Sequence, residues 1–182
     1  MRQVVLVLLA ILASANGPAG ADPAGGVHAL RHLLVERLGL MEQVAAHKWN
    51  ERLPIDDPVR EANVLAAALA RSRAAGLDVR LARRFIVAQM EAAKIVQRFY
   101  FDTWRSGGVE RLADVPDLEA DLRPRIGALS ADLIVSMAEN SRELTGCSAV
   151  SILRPIPETL ANVPRAWAVA VDGVLGARVD CP

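Results

Sequence analysis

Arg37 and Lys48 stand eleven residues apart in a stretch where Leu30, Leu34, Met41 and Val44 recur at four-three spacing, so a helix through it carries both cations on its apolar face. Three turns, about 16 Å of axis, separate them, and their long stems can converge on one cavity. Charges that face a core are costly unless they meet counter-charge or an anionic ligand. Gln97 breaks the next such stripe, between Ala93 and Phe101, with an amide that both donates and accepts hydrogen bonds. Arg60 lies one turn before Val64, and Arg123 one turn before Ile126. The chain holds 21 basic residues of which only Lys48 and Lys94 are lysines, so a lone arginine at a helix end is ordinarily a solvated one. The pairing of Arg37 with Lys48 on one stripe carries the information. Guanidinium, ammonium and amide groups in such positions suit the capture and polarisation of a small anion.

The elements that must position these groups are helices, because strand signals are almost absent. One long helix is expected from about Val27 to Arg52, ending before Leu53-Pro54. Asp56-Asp57-Pro58 opens a second, with Val64, Leu65, Ala68 and Leu69 inward and Gly76 as its stop. Asp78 caps a third, whose stripe of Ile86, Met90, Ala93, Phe101 and Trp104 runs to Gly107-Gly108. A loop leads to about Pro116. Asp117 then starts a fourth helix, with Leu122, Ile126, Leu129, Leu133 and Met137 inward, reaching roughly Leu144. Prolines interrupt residues 151–176, which leaves two short helices, the later about Arg165 to Leu175. The expectation is an all-α, single-domain bundle of about six helices.

Composition agrees with one compact domain: 182 residues, 52% hydrophobic and 4% aromatic, with a formal net charge of zero that steers the chain toward neither nucleic acid nor anionic lipid. Residues 1–21 read as a secretory signal peptide, with Arg2, an apolar run from Val4 to Ala13, and Ala19-Gly20-Ala21 as the cleavage site. The run is too short to span a bilayer. The mature domain is then 22–182, in the periplasm or outside the cell, with no membrane association after cleavage. Export gives meaning to the two cysteines: an even count in an oxidising compartment favours a Cys147–Cys181 disulfide over two buried thiols. His28, His32 and Glu36 have metal-like spacing but lie opposite the Leu30 to Lys48 seam, so a solvated face is expected and no metal. No Gly-x-Ser-x-Gly elbow, Walker loop, dinucleotide fingerprint or zincin motif is present. Trp49, Trp104 and Trp167 are scattered singly and read as packing residues.

The chain resembles the secreted gamma class of AroQ-type chorismate mutases. The match runs through Glu36-Arg37-Leu38, His47-Lys48-Trp49, the segment Leu53-Pro54-Ile55-Asp56-Asp57-Pro58-Val59-Arg60-Glu61, Gln89 and Gln97 to Trp104, and Pro116-Asp117-Leu118 through Arg123. It covers roughly residues 30–140. The resemblance implies the AroQ bundle and the isomerisation of chorismate to prephenate, on the route to phenylalanine and tyrosine, without cofactor. By similarity, Arg37, Arg60 and Arg123 hold the two substrate carboxylates, Asp57 and Glu61 orient the second helix and the ring hydroxyl, and Lys48 and Gln97 donate to the ether oxygen. Lys48 and Gln97 are thus the expected catalytic pair. Members of this class look like homodimers with a complete site in each protomer. Ala93 and Val64 depart from the family pattern, where relatives carry Ser or Thr and, in some, Gln. Two other readings use the same residues. A non-catalytic periplasmic relative that only binds a ligand is disfavoured by the donors at 48 and 97; a purely structural export protein is disfavoured by polar groups on the seams.

Overall fold

The computed structural model describes residues 23–176 and residue 181; the expected signal segment 1–21 lies outside them. The described chain is built from helices. α1 (Pro23–Gly39) and α2 (Met41–Asn50) occupy the span expected to be one helix. They run in series, since Leu40 stays right-handed helical (φ −71°, ψ −15°) and the bonds from Leu40 N–H to Glu36 O and from Val44 N–H to Leu40 O continue the ladder. Gly39, the residue least committed to a helix, marks the irregular step.

α3 (Pro58–Ala74) and α4 (Val79–Ser106) start where their acidic caps stand. Asp57 accepts from Arg60 N–H at 2.9 Å while Glu61 reaches back to Asp57 N–H at 3.3 Å, a reciprocal capping box with Pro58 in the first turn. Asp78 accepts from both Arg80 and Leu81 N–H. At the far ends, Gly76 (φ 73°) and Gly108 (φ 66°) take the left-handed conformation that lets Leu77 N–H return to Ser72 O and Val109 N–H to Trp104 O.

The fourth expected helix differs in both ends. Leu118–Leu122 forms one wide π-type turn, in which Leu122 N–H bonds to Asp117 O and Arg123 N–H to Leu118 O. α5 follows from Arg123 to Glu139, not to Leu144; residues beyond it make a turn and the 3-10 segment Glu143–Thr145. Pro124 supplies the reason for the wide turn, since it has no N–H with which to continue an ordinary ladder. α6 (Cys147–Leu153), a 3-10 turn at Glu158–Leu160 and α7 (Pro164–Leu175) complete the order. The expected bundle of about six helices is the one observed; among the described residues its first helix is divided into α1 and α2.

α4 is the axis of the bundle, with α2, α3 and α7 packed on it, while α1 packs on α5 and α6. One core joins Leu30, Leu34 and Leu38 of α1, Phe85 and Ile86 of α4, Leu133 and Met137 of α5, and Trp167 and Val171 of α7. Trp49 and Trp104, far apart in sequence, belong to a second cluster with Phe101 and Tyr100. α4 and α7 approach so closely that a methyl group on Gly173 would overlap the Ala88 side chain. Cys147 and Cys181 are joined by a disulfide, with Cα atoms 5.5 Å apart, which draws residue 181 back to the start of α6.

Candidate active site

A cavity of about 470 Å³ opens among α1 to α5, and all seven expected site residues line it: Arg37, Lys48, Asp57, Arg60, Glu61, Gln97 and Arg123. Each helix supplies a different part. α1 brings Arg37, which is 6% exposed and therefore inside the protein wall. Its Nε donates to Ser130 Oγ at 3.1 Å and its Nη1 to the Gln89 carbonyl at 3.3 Å. Among the described residues no carboxylate pairs with it. Burial pulls its pKa down to about 10, which leaves it cationic at neutral pH. This is a desolvated charge with no counter-ion among the described residues, on the wall of a cavity.

α2 brings Lys48, whose ammonium donates to the Ile55 carbonyl at 2.8 Å. Burial pushes its pKa below the ordinary lysine value; the carboxylates of Asp57, Asp56 and Glu61 work in the opposite direction, and Arg123 reinforces the lowering. α3 presents Arg60 one turn inside its cap. Arg123 opens α5 directly after the wide turn, where it pairs with the exposed Glu119. Burial and the neighbouring positive charge of Arg60 lower the Arg123 pKa, against the pull of Asp57. Two guanidinium groups that repel each other across a concave surface form a receptor for an anion.

Gln97 is 5% exposed. Its Nε2 donates back to the Ala93 carbonyl at 3.2 Å and lies 3.9 Å from Met41 Sδ, while Oε1 is buried without a partner. The two Nε2 hydrogens thus go to a carbonyl and to the weak thioether acceptor of Met41, and the latter is the one an oxygen acceptor in the cavity would take over. Glu61, besides capping α3, accepts from Lys94 at 3.2 Å; Lys94 also pairs with Asp56 and Glu91. That ionic network ties the α2–α3 loop and the start of α3 to α4.

The cavity also exposes residues that pattern reading passed over: Asn63, Arg71, Lys94 and Ser130, with the apolar walls Met41, Val44, Ile55, Met90 and Ile126. Arg71 was legible, because 60, 64, 67 and 71 follow one face of α3. Ser130 was not, since a serine on a helix gives no signal of its partner. Ala93 and Val64, the two departures from the family pattern, line the cavity as well. His28, His32 and Glu36 are exposed on α1, away from it.

Residues 28–98 match the family model described as chorismate mutase type II. The chain is 30% identical over 143 residues to the monofunctional chorismate mutase of Enterobacter agglomerans, an alignment that covers 79% of this chain and 77% of that protein. The chain belongs to the chorismate mutase family. Similarity to the secreted chorismate mutase of Yersinia pestis is higher, 36% over 115 residues, and there the alignment spans 63% of this chain and 59% of that protein's length. Among solved structures, a chorismate mutase from Burkholderia thailandensis superposes with a TM-score of 0.67 at 30% identity, covering 84% of this chain and 99% of the other. The cavity of this family member is thus carried on the scaffold it shares with a solved chorismate mutase.

Proposed function

We propose that the protein is an exported chorismate mutase that converts chorismate to prephenate. The reaction is a [3,3] rearrangement: one carbon–oxygen bond of the enolpyruvyl ether breaks as one carbon–carbon bond forms, and no proton or redox equivalent is exchanged. What a protein must supply is the reactive chair of a flexible dianion and stabilisation of charge that grows on the ether oxygen. The reading assigns the two carboxylates to Arg37, Arg60 and Arg123. Lys48 and Gln97 donate to the ether oxygen, Lys48 as a point charge and Gln97 through its Nε2 hydrogen. Asp57 and Glu61 hold the first turn of α3 and accept from the ring hydroxyl.

The observation that carries this reading is Arg37, a buried guanidinium tethered only to neutral oxygens on the wall of a cavity that Lys48, Arg60 and Arg123 also line. A dianion of chorismate's size supplies the missing counter-charge. Secretion rests on the signal-like residues 1–21, the Cys147–Cys181 disulfide, and relatives named secreted in Yersinia and Mycobacterium. No described helix is long and apolar enough to cross a membrane. The homodimer rests on resemblance and is read by light scattering of the purified protein.

The decisive experiment incubates purified protein with chorismate and follows loss of substrate absorbance, with prephenate verified by its acid conversion to phenylpyruvate. Saturable turnover is expected. Binding of chorismate without turnover would overturn the assignment of Lys48 and Gln97 as catalytic.

A further inference from the structure

Arg37 is held by a chain of neutral groups that crosses four helices. Its Nε donates to Ser130 Oγ (3.1 Å) on α5, and the same hydroxyl donates to the Ile126 carbonyl one turn earlier (2.6 Å). Nη1 donates to the backbone carbonyl of Gln89 on α4, and the Gln89 side chain donates in turn to the Ala170 carbonyl of α7 at 3.2 Å. The Ser130 hydroxyl has its single proton committed to Ile126, so toward Arg37 it can only accept. The orientation of the guanidinium is thereby fixed without any anionic partner.

We propose that Ser130 is a positioning residue for Arg37: it orients the guanidinium at the substrate carboxylate while, being neutral, it leaves the full positive charge available to that carboxylate. The proposal rests on the assignment of Arg37 as a carboxylate ligand. The physical contrast is with Glu119, which pairs with Arg123 at the exposed side of the cavity, where solvent weakens the pair. At Arg37, 6% exposed, a carboxylate in the place of the hydroxyl would form a strong buried ion pair. Substrate would then have to displace it. Ser130 also lines the cavity, so a change there acts at the site itself.

Three variants separate positioning from mere packing. Ser130→Ala removes the tether and is expected to raise KM by about fivefold to tenfold with kcat within about threefold of wild type, because a carboxylate contact serves ground and transition states alike. Ser130→Thr keeps the hydroxyl and should restore kcat/KM to within about twofold of wild type. Ser130→Asp is expected to lower kcat/KM by about a hundredfold or more, mainly through KM, with a melting temperature no lower than that of Ser130→Ala. The rise in melting temperature produced by added chorismate should be large in wild type and lost in Ser130→Asp, a readout independent of turnover. Wild-type KM in Ser130→Ala, or an undiminished chorismate-induced shift in Ser130→Asp, overturns the proposal. So does activity that merely tracks melting temperature across the three variants. A wild type that binds chorismate but does not turn it over contradicts the catalytic reading and leaves the thermal-shift arm to judge Ser130.

Discussion

In the proposed reaction Lys48 combines two demands that pull against each other: a charge is needed to meet the ether oxygen, yet burial favours the neutral form. The resulting pKa lies below that of an ordinary lysine, so deprotonation on raising the pH sets in earlier. Activity should therefore fall along an alkaline limb as Lys48 loses its proton. The limb in kcat/KM, which reports free enzyme, should lie at lower pH than that in kcat, because a bound dianion favours the charged lysine. Coincident limbs would remove Lys48 as the titrating group. Lys48→Ala should cost about two to three decades in kcat, since it deletes a donor aimed at charge that develops in the transition state; a variant within threefold of wild type refutes the role. Gln97 is an amide whose state does not change with pH, so its hydrogen bond gives wild type no acid-favouring profile. Gln97→Glu should favour acid, losing activity as the carboxyl ionises and stops donating. A flat profile at the wild-type rate in that variant would place Gln97 away from the ether oxygen.

Asp57 shows how an element and a site share one residue. Its carboxylate caps α3 by accepting from Arg60 N–H, and its own N–H donates to Glu61 Oε1. Asp57→Ala should lower stability by about 1 kcal/mol, the usual cost of a lost cap, as read by denaturant midpoint. It should also raise KM more than so small a destabilisation accounts for, because Arg60 stands in the turn the cap fixes. The wide turn Leu118–Leu122 performs the corresponding task for α5: Pro124, without an N–H, cannot continue an unbroken ladder from the preceding turn, and His47 Nδ1 accepts the Leu118 N–H at 3.2 Å, docking the turn onto α2. Arg123 enters the cavity from the end of that turn. Close helix packing is equally specific. Gly173→Ala should destabilise by about 1–3 kcal/mol, because the added methyl overlaps Ala88 where α7 lies on α4; a variant melting with wild type would mean the two helices separate freely.

Across the molecule, a formal charge of zero conceals a cavity lined by Arg37, Lys48, Arg60, Arg71, Lys94 and Arg123 against Asp57 and Glu61. Such a local excess focuses field toward the opening and should accelerate capture of a dianion. Raising ionic strength should thus lower kcat/KM while leaving kcat nearly unchanged; a rate indifferent to salt would mean the excess is neutralised before substrate arrives. The disulfide acts at the opposite scale. It joins positions 34 residues apart, and neither cysteine lines the cavity. Its reduction should cost about 3–4 kcal/mol by chain entropy, seen as a lower denaturant midpoint in reductant. Turnover at 25 °C should survive, and its abolition while the protein remains folded would couple the C-terminal end to the site.

Much of this was legible in the order of residues, because the signals are local. Caps at Asp57 and Asp78, stops at Gly76 and Gly107-Gly108, and apolar stripes repeating every three or four residues each depend on atoms within about one turn. Cations on such a stripe betray a cavity for the same reason: a helix fixes which side chains share a face, and burial makes the wrong ones conspicuous. The meeting of Arg37, Lys48, Arg60, Gln97 and Arg123 across five helices was anticipated through resemblance as much as through pattern. Only the tertiary structure decided what depends on partners distant in sequence. The Ser130 hydroxyl beneath Arg37 spans 93 residues, the Glu61–Lys94 bond 33, and the Trp49 and Trp104 rings meet from different helices. No periodicity encodes these, since a hydrogen bond or ring contact between helices is set by their packing angle and depth, which the whole core determines at once.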